Sequence, residues 1–286
     1  MSTPPFVVLP AVARRLRLTT PRGALAAVEA RPEGTVRGTA LLVPGFTGSK
    51  EDFIAVLEPL CAAGWRVVAL DMRGQHESPH AVDPAAYDLD VLAQDIVAVG
   101  DALRAESDPV HLVGHSLGGL VARAAVLASP STWASLTLLC SGPGALSGPT
   151  GDRTRLLLDA LPVLDPETIW GAMRALDAEA GTPAPPAEIL AFLQARWLRS
   201  CPSGVYRMGR QLLSCPDRTD DLRATGVPTL VAFGDLDDAW SPAVQADMAE
   251  RLGAEVVRFA GVGHSPAAES PEETAAALDT WWAPAG

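Results

Sequence analysis

Gly114-His115-Ser116-Leu117-Gly118 sets a serine between two glycines in the G-x-S-x-G pattern, where a hydroxyl can act as a nucleophile toward carbonyl carbon. Serine is a weak nucleophile at its ordinary pKa. It needs a histidine within hydrogen-bond reach to take its proton and an acid to fix that histidine's tautomer. Both residue types follow downstream. Gly234-Asp235-Leu236-Asp237-Asp238 offers three carboxylates, and Gly261-Val262-Gly263-His264-Ser265-Pro266 offers the base. The chemistry such a set performs is acyl transfer through a covalent serine intermediate.

Five residues make a modest signal, and their setting strengthens it. The apolar run Val110 to Val113 before Ser116 reads as a buried strand, and Leu117 to Ala128 after it has helical periodicity. A strand, a sharp turn and a helix are what present a serine at the end of a sheet. The glycines leave room where the turn brings backbone too close for side chains, and Gly119 extends that clearance. The helix aims its N–H groups and positive end at the same point, so the Leu117 amide is a candidate donor to an oxyanion.

The same rhythm runs along most of the chain. Arg14 to Ala30 alternates apolar and polar around Pro21-Arg22-Gly23, as the half-buried strands of a hairpin do. Short apolar runs follow at Thr39 to Val43, Arg66 to Leu70, Val110 to Val113, Leu136 to Leu139, Thr229 to Phe233 and Glu255 to Phe259. Helical segments separate them at Asp52 to Ala63, Leu89 to Ala105, Leu117 to Ala128, Pro242 to Leu252 and Pro271 to Trp282. This order predicts an α/β fold: a mostly parallel β-sheet flanked by helices on both faces, with its ligand at the carboxyl ends of the strands.

Between Gly142 and Gly226 the strand rhythm stops. Helical pieces at Thr154 to Leu161, Glu167 to Ala180, Glu188 to Ser200 and Val205 to Leu213 are separated by breaks such as Thr182-Pro183-Ala184-Pro185-Pro186. The expected division is a core of residues 1–144 and 222–286, with residues 145–221 as a helical cap inserted after the sixth strand. Trp170, Met173, Trp197 and Tyr206, with Phe192 and Met208, are candidates to line an apolar substrate pocket, although apolar residues at helical spacing also simply form core.

With these motifs in place the chain resembles the α/β-hydrolase fold superfamily. The resemblance runs from Pro44-Gly45-Phe46-Thr47-Gly48-Ser49 to the last helix. It implies that the loop after the third strand supplies the second oxyanion donor, by position the Phe46 amide, with Pro44-Gly45 where relatives often carry His-Gly. Asp71-Met72-Arg73-Gly74-Gln75-His76-Glu77-Ser78 is similar to the superfamily's D-x-R-G-x-G-x-S loop, which buttresses the oxyanion loop. Here His76 replaces the second glycine. The superfamily places its histidine where His264 stands, and its pattern of Gly, two residues, then Asp favours Asp237. Asp235 and Asp238 remain alternatives, otherwise read as solvated loop carboxylates or a helix cap. His76, His80, His111 and His115 read as packing residues.

Composition narrows the partners. The 286 residues carry a formal charge of −12, are 48% hydrophobic and 20% charged, and contain no cluster of basic residues with interleaved aromatics, so no nucleic acid is expected. No apolar run approaches the roughly 20 residues of a membrane span. Phe6 to Ala13 lacks a charged start and is broken by Pro10, so it does not read as a signal peptide, and cytoplasmic residence is the expectation. Cys61, Cys140, Cys201 and Cys215 contain no C-x-x-C pair. Cys201 and Cys215 can meet across two helices, but a disulfide is not expected in a reducing compartment.

These readings predict a serine hydrolase that cleaves a carboxylic ester of a small, partly apolar substrate without metal or organic cofactor. The same triad also serves thioesterases, lactonases, amidases, C–C hydrolases, perhydrolases and acyltransferases. A second class is a small-molecule receptor or scaffold on the same fold with slow or no turnover. Ser116 as nucleophile rather than an aspartate argues against the carboxylate-dependent dehalogenases and epoxide hydrolases of the superfamily.

Overall fold

A computed structural model describes residues 2–106 and 109–283. The chain opens with β1 (Ala13–Thr20) and β2 (Gly23–Ala30), followed by β3 (Gly38–Val43), α1 (Ile54–Ala62), β4 (Trp65–Leu70), α2 (Leu89–Glu106), β5 (Val110–His115), α3 (Leu117–Ala128) and β6 (Ser135–Leu139). Helices α4 (Gly148–Ala160), α5 (Pro166–Glu179), α6 (Ala187–Arg199), α7 (Pro202–Leu212) and α8 (Thr219–Ala224) precede β7 (Thr229–Gly234). The chain then continues through α9 (Pro242–Leu252), β8 (Glu255–Phe259), α10 (Pro266–Glu269) and α11 (Pro271–Trp282).

The eight strands form one sheet in the order β1-β2-β4-β3-β5-β6-β7-β8. β1 pairs with β2 and β2 with β4 antiparallel, and every later pair is parallel. Successive strand residues point to opposite faces, and both faces are covered. Leu41, Val43, Leu112, Leu138, Val231 and Phe233 meet Leu92 and Ile96 of α2, Leu120 of α3 and Met248 of α9. Leu42, Val113, Leu139, Leu230 and Ala232 meet Ile54 and Leu57 of α1 and Leu278 and Trp282 of α11. Two-sided burial is why these strands appear in sequence as near-continuous apolar runs.

The hairpin departs from its expected half-burial. β1 alternates as an edge strand, but Leu25 to Ala30 of β2 are buried throughout, because β2 lies between β1 and β4. The segment expected to be helical from Asp52 begins as a 3-10 turn over Lys50–Phe53. α4 and α7 each start several residues earlier than periodicity indicated. α8 packs on α3 and α9, so it lies with the core and a division at 221/222 would cut through it. All four cysteines are free and buried, Cys201 and Cys215 included. Among the described residues no helix is long and apolar enough to cross a membrane.

Helix α2 passes close to Trp133 at Gly100, where a Cβ would strike the buried indole ring and the Thr132 methyl. Gly100→Ala should therefore destabilise the fold by about 1–3 kcal/mol, although helix propensity alone would favour alanine by about 1 kcal/mol. Urea unfolding checks the sign. A more stable variant would mean that α2 and Trp133 are packed less tightly than described.

Candidate active site

Ser116 sits at the break between β5 and α3 with φ 55° and ψ −121°, a conformation that side-chain-bearing residues rarely adopt and that costs about 1–3 kcal/mol. Its surroundings hold it there. The Ser116 N–H donates to Leu139 O at 3.0 Å, and its carbonyl accepts from Ser141 Oγ at 2.8 Å and from the Gly119 N–H at 2.9 Å. A Cβ at Gly118 would run into the carbonyl oxygens of Val43 and Pro44, and one at Gly114 into the Gly118 backbone. The two flanking glycines are thus required by close backbone approach.

His264 Nε2 lies 3.0 Å from Ser116 Oγ, and His264 Nδ1 lies 2.8 Å from Asp237 Oδ1. Of the three downstream carboxylates, Asp237 is the buried one and the one that meets the histidine. Asp235 is exposed and caps the Gly261 N–H at 2.7 Å, and Asp238 is also exposed. Burial pushes the Asp237 pKa up, but hydrogen bonding and charge from His264, together with the Ala239 N–H and Gln245, outweigh it and hold the carboxyl below its ordinary value.

Two supports of this chain escaped the sequence reading. Gln245, wholly buried on the first turns of α9, donates from Nε2 to Asp237 Oδ2 at 2.8 Å and to Trp240 O at 2.7 Å. Glu269 of α10 accepts from the Gly263 N–H at 2.6 Å and the Ser265 N–H at 2.7 Å, clamping the backbone on both sides of His264. No sequence pattern announces either one, because each contact joins loops that only the fold brings together.

His115 has a structural place. Its Nε2 lies 2.7 Å from His264 O, and burial, then the nearby His264, drives its pKa down to about 3. It is therefore neutral, with Nε2–H donating to that carbonyl. Burial also lowers His76 and His111 to about 4. His76 packs edge-on against Phe192, and His111 stacks on Trp282. His80 is exposed and bonded to Arg199 O. His76, at φ 38°, shows why glycine is common at that loop position.

The loop carrying Phe46 closes over the nucleophile. A Cβ on Gly45 would sit 3.1 Å from that of Ser116, and Gln75 Nε2 donates to Gly45 O at 2.8 Å, which ties this loop to the one after β4. Lys50, the sole lysine, is fully buried at the loop's end. Its Nζ lies 2.9 Å from Asp71, 3.1 Å from Glu51 and 2.8 Å from Glu77, and its N–H donates to Asp71 Oδ1. Burial raises Asp71 to about 6 even against that ammonium. Leu117 opens α3, so its N–H lies in the first turn, where a helix has no acceptor of its own.

Among the described residues two groups have ligand atoms close enough to share a metal ion, Glu51-His76-Glu77 and Cys140-Asp237-His264. In the first, the Lys50 ammonium already lies against both glutamates, and in the second Asp237 and His264 are bonded to each other. The helical-segment candidates separate. Trp170 and Trp197 join Ile169, Ile189, Leu193 and Val205 in one apolar cluster, with Met173 and Phe192 against it. Phe46 packs on this cluster too, which brings it up to the nucleophile loop. Tyr206 is half-buried, with its hydroxyl accepting from Arg210, and Met208 belongs to the main core.

The sequence profile of the alpha/beta hydrolase family matches residues 40–277. The chain belongs to that family. A non-heme haloperoxidase from Rhodococcus erythropolis is 31% identical over 239 residues, 77% of this chain and 83% of that protein. A 2-hydroxy-6-oxononadienedioate/2-hydroxy-6-oxononatrienedioate hydrolase from Paraburkholderia xenovorans is 38% identical over 105 residues, 36% of this chain and 35% of that one. Several other curated relatives are matched over about half of their length or less, at 48%, 27% and 38%. Among solved structures, a thermophilic esterase from Thermogutta terrifontis superposes with a TM-score of 0.73 at 25% identity, covering 94% of this chain and 97% of that one.

The second support of Asp237 and the neutral His115 each give a test. Gln245→Leu frees the carboxylate to turn and should lower kcat on an activated ester about tenfold, the scale of losing one hydrogen bond to a charged group, with the melting temperature measured alongside. An unchanged kcat would show that Asp237 needs no such support. His115→Asn should leave the pH dependence of kcat/KM between about pH 5 and 8 in place, because His115 carries no charge there. Loss of the inflection would contradict this.

Proposed function

We propose that this chain is a serine hydrolase that cleaves a carboxylic ester of a small, partly apolar substrate through an acyl-enzyme. The observation that carries the reading is the hydrogen-bonded run from Ser116 Oγ through His264 to Asp237 Oδ1, set at the strained turn between β5 and α3. Similarity to the Thermogutta terrifontis esterase supports the ester as the bond broken.

In this mechanism His264 Nε2 takes the Ser116 proton as Oγ attacks the carbonyl carbon. The oxyanion is met by the N–H groups of Phe46 and Leu117. Asp237 accepts from Nδ1–H throughout, which keeps Nε2 free as the base and steadies the imidazolium. The Nε2 proton then passes to the leaving alcohol oxygen. Water attacks the Ser116 ester by the same route, its proton going to Nε2 and from there to Ser116 Oγ as the acid departs. Helices α4 to α7 act as a cap, and the cluster around Trp170, Met173 and Trp197, which adjoins Phe46, holds the apolar part of the substrate. Tyr206 serves at its margin.

A panel of p-nitrophenyl esters, thioesters and lactones assayed with wild type and Ser116→Ala tests the reading. Wild type should turn over esters best, and the variant should lose about 10⁴-fold or more in kcat. Ester turnover that survives Ser116→Ala would overturn it. Among Asn replacements at Asp235, Asp237 and Asp238, the loss should concentrate at Asp237 at about 10²- to 10⁴-fold. A greater loss at either neighbour would move the acid. Ligand-dependent partner binding without turnover would favour a receptor on this fold.

A further inference from the structure

Arg196 is buried completely, and its two terminal nitrogens reach two separate parts of the chain. It projects from α6 with no exposed surface, over the ring of Phe192. Nη1 lies 2.6 Å from Asp52 Oδ1, and Nη2 donates to Ser2 O at 2.7 Å. A buried charge pair of this kind is costly to break, because either partner alone would be stranded away from water.

Each arm leads to the site. Asp52 is itself buried, and its Oδ2 accepts the Ser49 N–H at 3.3 Å, so it fastens the end of the loop that carries Phe46. Ser2 begins a segment that runs along the same region. Ser2 Oγ lies 3.0 Å from Ser265 Oγ, one residue from His264. Val7 packs on the apolar cluster of Trp170 and Trp197, beside Phe46. Ser2, Asp52, His115 and Ser265 also line a gap of about 10 Å³ behind the nucleophile turn. Residues 2–9 therefore bridge the histidine loop and the helical segment, and Arg196 pins them there.

We propose that Arg196 is a positioning and specificity residue: it couples α6 and residues 2–9 to the Phe46 loop, making residues 2–9 a wall that limits the length of the acyl chain. This rests on the serine-hydrolase reading above. The two arms have separable consequences. Loss of the Asp52 arm loosens the Phe46 amide, which acts on the transition state, so the effect falls on kcat more than on KM. Loss of the Ser2 arm frees the wall and shifts chain-length preference.

The test compares p-nitrophenyl butyrate with p-nitrophenyl octanoate. Arg196→Met should lower kcat on the butyrate about tenfold with KM changed less than about twofold, and raise the octanoate-to-butyrate ratio of kcat/KM at least about fivefold. Arg196→Lys keeps a cation beside Asp52 but lacks the planar fork. It should recover most of the kcat loss and none of the ratio. Val7→Asp, which leaves the buried pair intact and expels residues 2–9 from the apolar cluster, should raise the ratio with a smaller loss of kcat on the butyrate than Arg196→Met gives, and covers the case in which Arg196→Met does not fold. Wild-type turnover and fluorophosphonate labelling of Ser116 are read first, and failure of both would sink the serine-hydrolase reading. With an active wild type, an unchanged ratio in Arg196→Lys and Val7→Asp overturns the role given to Arg196 alone.

Discussion

The site depends on one strained residue. Ser116 is held at φ 55° because β5 ends and α3 begins within a single turn, and that turn fits only if Gly114 and Gly118 have no side chains. The strain is retained because the neighbours fix it from several directions: Leu139 O and Ser141 Oγ on the β6 side, and the start of α3 on the other. A hydroxyl placed this way stands clear of its own backbone. It also lies directly before the first N–H groups of a helix, where negative charge is favoured. The sheet order adds the rest, because β5 lies at the centre with β3 and β6 beside it and β7 and β8 next in line. The Phe46, Asp237 and His264 loops consequently all open at one end of the sheet.

Around that point the structure uses charge sparingly and buries it with partners. Lys50 with Asp71, Glu51 and Glu77, and Arg196 with Asp52, fasten the Phe46 loop from two sides. Such pairs add little net stability over apolar packing, but they are costly to break, so they suit geometry that must be kept. Asp237 is treated likewise. It is buried, yet kept ionised by His264, the Ala239 N–H and Gln245. The neighbouring His115 is kept neutral by burial, which leaves His264 as the histidine that faces the serine.

Much of this was legible in the sequence, for physical reasons. Strands covered on both faces are apolar at most positions rather than at every second one, so β3 through β7 stand out against the periodic helices between them. A serine set between glycines directly after such a strand fits a tight strand-to-helix turn, and the superfamily's pattern of Gly, two residues, then Asp favoured Asp237 while leaving Asp235 and Asp238 open. The contacts that hold the site were not legible. Gln245 to Asp237, Glu269 around His264, Lys50 to Asp71 and Arg196 to Asp52 join side chains from loops and helices whose approach is a property of the whole fold. The helical segment was hardest to read. Trp170, Trp197, Tyr206 and Met208 all lie on helices, yet two form a local cluster, one is half-buried and one belongs to the main core. Periodicity reports that a face is buried, not which surface buries it.

The central claim is that Ser116 Oγ carries the acyl group between two half-reactions. Acid-quenching the enzyme during turnover of p-nitrophenyl acetate and mapping the modified peptide by mass spectrometry tests it most directly. The expected result is an acetyl group on Ser116 of the wild type that does not form when His264 is replaced by glutamine, because His264 also takes the Ser116 proton in the acylation step. Turnover with Ser116 unmodified, or with the acetyl group on another residue that carries the rate, would contradict it.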